Sequence, residues 1–383
     1  MATTNLISES AVREALSRVE DPEIGKPITE LGMVESIQVD GNDVAVGVYL
    51  TIAGCPMRDT IERNTRAVLE ELDGVGTITV TMHTMTDEQR RALSTMLRGE
   101  QTGPEIPFAD PETRTRVFAV ASGKGGVGKS SMTVNLATAL AAQGLTVGIL
   151  DADIYGHSIP GLMGSTGVGP TVVDDMIMPP MTHGVRHISI GQFVEGNAPI
   201  VWRGPMLTRA ISQFLGDVYW SDLDVLFMDL PPGTGDVAIT VAQLVPNAEL
   251  IIVTTPQAAA AEVAERAGTI AQQTNQRIAG VIENMAGLTL PDGSTMHVFG
   301  EGGGEQVAQR LSALTGNDVA LLGSVPLDPL MREHGDTGMP VVLAQPDAPA
   351  ARAVTAIANQ LKVRRDSLAG KNLNPQVRQP REL

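Results

Sequence analysis

Gly123-Lys124-Gly125-Gly126-Val127-Gly128-Lys129-Ser130 is the stretch on which the reading of this chain turns. It follows an apolar run at 117–121 and precedes a helix-forming segment at 131–143. Strand, glycine-rich loop and helix, in the pattern GxxxxGK[ST], make a phosphate-binding loop. Glycines let successive backbone N–H groups turn toward one anion, which a Cβ would obstruct. The helix start adds its positive dipole end. Lys129 is placed to reach terminal phosphates, and the Ser130 hydroxyl to hold Mg²⁺.

Outward from that loop, strands and helices alternate. Strands are expected at 146–150, 188–190, 225–228, 250–254, 278–282 and 320–322, and helices at 202–214, 258–273, 306–314 and 348–361. Such alternation argues for an α/β fold whose mostly parallel sheet is covered by helices on both faces. Ligands of such a sheet bind beyond the carboxyl ends of its strands. Asp229 ends one strand and stands before Pro231-Pro232-Gly233, where an acid can hold Mg²⁺ and the loop can respond to a γ-phosphate. Asp151 and Asp153 follow another strand, and one of them could orient an attacking water. Lys124 is a second lysine in the loop. Its spacing fits either a solvated loop residue or a charge that acts across a dimer interface, as an arginine finger does.

Upstream, residues 1–98 read as a small α+β unit. A helix is expected over 8–19 with Ser10 as its cap, a hairpin over 33–39 and 44–51, a helix over 56–72 starting at Pro56, a strand over 75–83 and a helix over 87–97. Residues 99–114 hold Pro104, Pro107 and Pro111 and read as a linker. The nucleotide unit is expected over 115–363. The tail 364–383 carries Arg364, Arg365, Lys371, Arg378 and Arg381 with little apolar content, and reads as a soluble, disordered segment.

Composition narrows the classes. A net charge of −17 opposes non-specific nucleic-acid binding. No apolar run approaches a membrane span, and the tail has no apolar face for a membrane surface. One cysteine precludes an internal disulfide and fits a reducing cytoplasm, as does the lack of a secretory signal at 1–10. His183 and His187 stand four apart, but Gly184 lies between them and they do not read as a metal site.

The loop SGKGGVGKS resembles the deviant Walker motif of the MinD/ParA/ArsA-type ATPases. Around it DADIYGHSIP, VWRGPM, LPPGTGDVAIT, IENM and FGEGGGEQVA resemble the Mrp/ApbC iron–sulfur cluster carriers, over residues 117–361. The upstream DPEI, ITELGMV and TIAGCPM resemble the SufT-like domain that heads many chains of that family. The resemblance implies a P-loop NTPase fold, a cytoplasmic homodimer and slow ATP hydrolysis, in the service of cluster assembly or transfer to apoproteins. It implies that Gly123, Lys124, Gly125, Gly126, Val127, Gly128, Lys129 and Ser130 bind ATP, with Lys124 reaching the partner subunit's nucleotide. It gives Lys124, Lys129 and Asp153 catalytic roles, Asp153 as the water-orienting acid. Asp229 becomes the Walker B acid that holds Mg²⁺ with Ser130, and Asp236 falls in the second switch. Asn284 would contact adenine, with Pro326 closing the base pocket. Iron–sulfur assembly factors or apoprotein clients are the implied partners, with no nucleic acid and no membrane.

The chain departs from that family at one place. The carriers' Cys-x-x-Cys after the Asn-Met is replaced by Ala286-Gly287-Leu288-Thr289-Leu290. A cluster needs four ligands, mostly thiolates, and one cysteine per chain supplies two in a homodimer. Cys55 lies in a turn before a helix start. It reads either as a dipole-stabilised thiolate that transiently holds an iron–sulfur species or as a small buried apolar residue. The alternative function is an ATP-gated dimeric adaptor that holds no cluster itself.

Overall fold

The computed structural model describes residues 7–52, 54–55, 57–98, 106–153, 156–193, 204–233, 236–257, 260–290 and 292–362. Pro56, residues 99–105 of the expected linker, Trp202 and the basic tail lie outside them.

The N-terminal unit contains α1 (Glu9–Leu16), β1 (Val34–Asp40), β2 (Asp43–Leu50), α2 (Arg58–Glu70), β3 (Ile78–Thr84) and α3 (Asp87–Arg98). Ser8, not Ser10, caps α1, because the Ser8 hydroxyl is the one that accepts from the Ala11 N–H. β1 and β2 pair antiparallel and β2 and β3 parallel. Alternation along β2 turns Val44, Val46, Val48 and Leu50 onto the helices.

The second unit begins with β4 (Arg116–Ala121), α4 (Lys129–Ala141), β5 (Val147–Asp151), α5 (Ile159–Leu162), β6 (Thr171–Val173), β7 (Met176–Met178), β8 (Met181–Thr182) and β9 (Val185–Ser189). It continues through α6 (Gly204–Gly216), β10 (Val225–Asp229), α7 (Asp236–Leu244), β11 (Glu249–Thr254), α8 (Ala260–Thr274) and β12 (Ile278–Asn284). It closes with β13 (Leu288–Thr289), β14 (Thr295–Met296), α9 (Gly303–Thr315), β15 (Leu321–Val325), α10 (Pro329–Asp336), α11 (Val341–Ala344) and α12 (Pro349–Lys362). Among the described residues eight strands form one sheet in the order β15-β12-β11-β4-β10-β5-β9-β8, all parallel except β8.

The parallel strands are almost wholly buried, which is why they read as continuous apolar runs. Two cores cover the sheet. One contains Val117, Ala119, Leu226 and Met228, under α6 to α9; the other contains Phe118, Val120, Phe227 and Ile149, under α4 and α12. Phe118 and Phe227 stack across neighbouring strands with centroids 5.5 Å apart.

Three expectations shift. The strand expected at 188–190 occupies Val185–Ser189, because Ile190 already belongs to a 3-10 turn capped by Ser189. The last strand extends to Val325, carried by its pairing with β12. The expected linker is structured at Pro107–Ala109, where Phe108 is buried edge-on against Trp220.

Candidate functional site

Register carries the functional side chains to one place. Asp229 of β10 pairs with Asp151 of β5, and Asp151 with Ser189 of β9, so three strand ends align beside the loop that follows β4. The loop itself needs glycine where the chain turns back. Gly128, the N-terminal cap of α4, has φ +80°, and a Cβ there would lie 2.3 Å from Asn284 Nδ2. Gly123 is held from below by α8: its carbonyl accepts from Arg266 at 2.8 Å, and a Cβ would fall 2.8 Å from the Val263 Cα.

Lys129 is 6% exposed, and its Nζ sits 2.7 Å from Asp229 Oδ2 and 3.9 Å from Asp153 Oδ2. Ser130 Oγ donates to Asp229 Oδ2 at 2.5 Å. Thr133 Oγ1 donates to Asp229 Oδ1 at 2.8 Å, so both oxygens of this fully buried carboxylate are engaged. Asp153 accepts from the Gly156 N–H at 3.0 Å, and its own N–H donates to Asp151 Oδ1 at 3.1 Å. Asp151 also accepts from Ser189 Oγ at 2.8 Å. Burial, reinforced by the neighbouring Asp229 charge, pushes the Asp151 carboxyl up to about 8. One lysine, three hydroxyls and three acids thus converge where the glycine loop opens. Such a set can receive a polyphosphate with its counter-cation.

The remaining expected residues lie around it. Lys124 Nζ donates to Gln257 Oε1, so this lysine leans on the segment after β11. Asn284 Nδ2 donates to the Val127 carbonyl at 2.9 Å. Asn284 and Pro326 line one cavity of about 270 Å³ with Gly128, Ser131, Met285 and Met331, contiguous with the phosphate loop. Asp236 opens α7.

Cys55 departs from the dipole-stabilised thiolate. It is 8% exposed in the core of the N-terminal unit, and burial pushes its thiol up to about 11, with Glu23 and Asp21 adding in the same direction. Burial outweighs the N–H groups at the start of α2. His183 and His187 go to different partners, the Gly338 carbonyl and the Ser165 hydroxyl. Burial lowers His187 to about 4, leaving it neutral. Among the described residues no group of three or more His, Cys, Asp or Glu is arranged to hold a metal ion.

Sequence reasoning missed Thr133, Ser189 and Gln257. Thr133 could have been found, since i+4 from Lys129 puts it on the same face of α4. Ser189 and Gln257 carry no comparable signal, because only the sheet register brings them in.

A glycine loop between a central parallel strand and a helix, with acids on the adjoining strand ends, defines a P-loop NTPase. The chain belongs to the family described as NUBPL iron-transfer P-loop NTPase, whose model matches residues 113–362. A second family model, described as iron–sulfur cluster assembly protein, matches residues 9–80. The chain is 61% identical over 367 residues to a Mycobacterium tuberculosis protein named iron–sulfur cluster carrier protein, covering 95% of this chain and 96% of that one. A Synechocystis protein of the same name is 38% identical, covering 93% and 97%. Among solved structures, the nucleotide-binding protein in complex with ADP from Archaeoglobus fulgidus is 34% identical, with a TM-score of 0.53, over 69% of this chain and 95% of that one.

Proposed function

We propose that the protein is an ATPase that works as a homodimer in the assembly or transfer of iron–sulfur clusters. The observation that carries the ATPase reading is the convergence of Lys129, Ser130, Asp153 and Asp229 at the mouth of the glycine loop. The loop N–H groups and Lys129 hold the phosphates, and the Asn284–Pro326 cavity takes the adenine. The chemistry of the donors fits Mg²⁺, a hard cation that takes oxygen: Ser130 and Asp229 would hold it, and it would neutralise phosphate charge. Asp153, oriented by the Gly156 N–H, positions the attacking water. Lys129 in cis and Lys124 from the partner stabilise charge on the transferred group. Lys124 is held by Gln257 within its own chain, a bond it would exchange for the partner's phosphates.

Lys129→Ala should abolish ATP binding or turnover, and normal turnover would remove the site assignment. Lys124→Ala should bind ATP and hydrolyse it poorly, by about 10²-fold or more. Unchanged turnover would exclude the cross-dimer role.

The iron–sulfur cargo is supported by the family membership and by the names of the relatives. The ligands temper it. The residues after Asn284 form the β13–β14 hairpin and supply no thiolate, and Cys55 is buried and protonated at neutral pH. These observations favour a second reading, an ATP-gated adaptor in which clients or assembly factors bring the thiolates. Anaerobic reconstitution with iron and sulfide separates the two. Visible absorption that is lost in Cys55→Ala supports the carrier, and a colourless product in both proteins supports the adaptor.

A further inference from the structure

The polypeptide that leaves the nucleotide site takes a detour before it rejoins the sheet. After Asp151 and Asp153 it passes through α5, forms the β6–β7 hairpin, and returns as β8 and β9. Val173, Met176 and Met178 of that hairpin are 1%, 2% and 1% exposed. They are buried in the core of the N-terminal unit, in one cluster with Val12, Leu50 and Cys55. A segment of the P-loop unit therefore completes the core that encloses the chain's one thiol. Polar contacts fix the same junction: Thr171 Oγ1 donates to Glu23 Oε1 at 3.2 Å.

β9 grips both units at once. On one face of the strand, Ser189 holds Asp151, and His187 Nε2 lies 2.7 Å from Ser165 Oγ in the loop after α5. On the other face, alternation turns Arg186 the opposite way. Its guanidinium donates to the carbonyls of Glu23 and Ile24 at 3.4 and 3.3 Å, in the turn whose acids face Cys55. Arg186 is 6% exposed, and among the described residues its Nε has no hydrogen-bond partner. A buried guanidinium with two long carbonyl bonds and Tyr219 beside it makes the polar part of the junction weak. Most of what holds the units together is therefore the apolar burial of the hairpin, which a ligand must offset to release them. Packed segments shift between discrete arrangements rather than deform.

We propose that the β5–β9 crossover is a lever through which nucleotide binding at the loop releases the N-terminal unit and exposes Cys55, with Arg186 as the clamp. The proposal rests on the ATP-site reading. Phosphates that take Lys129 away from Asp153 free the start of the crossover to shift. The hairpin cannot follow without leaving the core around Cys55.

Because Cys55 is the only cysteine, a maleimide reads one site in the full-length protein. Labelling is followed with and without a non-hydrolysable ATP analogue and Mg²⁺, and analogue binding is measured in the same samples. Nucleotide should accelerate wild-type labelling by about fivefold or more. Arg186→Gln should raise the nucleotide-free rate comparably and leave it insensitive to nucleotide, while analogue binding is retained. Thr171→Val, which loses only the bond to Glu23, should raise the nucleotide-free rate without threatening the fold. Wild-type protein that binds the analogue and labels at an unchanged or slower rate would overturn the lever while leaving the ATP site standing. Wild-type protein that binds no analogue would overturn the ATP-site reading, and the lever with it. An unchanged rate in both folded variants would overturn the clamp.

Discussion

Lys129 and Cys55 are similarly inaccessible, at 6% and 8% exposed, but their surroundings differ in sign. The ammonium has the Asp229 carboxylate at 2.7 Å, whereas the thiol faces Glu23 and Asp21. Sequence position placed both residues at the start of a helix, which favours an anion in each case. The acids that act on Cys55 are more than thirty positions upstream and enter only through the fold. Folding raises the Cys55 thiol from 9.0 to about 11, so it binds its proton more tightly in the native state. The associated stability is fully present below pH 9 and is lost as pH rises through about 11. The alkylation rate should therefore keep climbing through pH 10 in the nucleotide-free protein. A plateau close to pH 9 would show that the thiol is not held in this core.

At the scale of elements, the glycine loop and α4 are braced by β12 as well as by β4. Asn284 at the end of β12 bonds the Val127 carbonyl and lies where a Cβ on Gly128 would go. Gly126 shares the positive φ, at +79°, but faces open space. An alanine at either position costs about 1–3 kcal/mol of backbone strain. Gly128→Ala must in addition push Asn284 aside. It should be the more destabilised of the two in denaturant titrations without nucleotide, and equal losses would mean that Asn284 does not brace the loop. The loop, its flanking strand and helix and the acids on β5 and β10 were legible because each is a local pattern. The brace was not, since 157 residues separate Asn284 from Val127. The hairpins β6–β7 and β13–β14 escaped for another reason: strands of two or three residues show too few alternations to read.

For the whole molecule, the sequence pointed to two units joined by a proline-rich segment, and the mutual contacts lie elsewhere. The crossover lends Val173, Met176 and Met178 to the N-terminal core, and Arg186 caps a turn of that unit. On the linker side Phe108 packs against Trp220 of the P-loop unit, so the connecting chain is itself anchored. Side chains of this kind each contribute about 1.5–3 kcal/mol when buried. Removing residues 1–98 would return the three hairpin side chains to water, and the remaining unit should melt at lower temperature than the full chain. Without nucleotide, a core shared by both units should make the full chain unfold in one calorimetric transition, with van't Hoff and calorimetric enthalpies in agreement. Two separated transitions, the lower one unaffected by Arg186→Gln, would mean that the units fold independently and that the hairpin contributes nothing between them. A single transition that Arg186→Gln splits in two would identify β9 as the strand that makes the molecule cooperative.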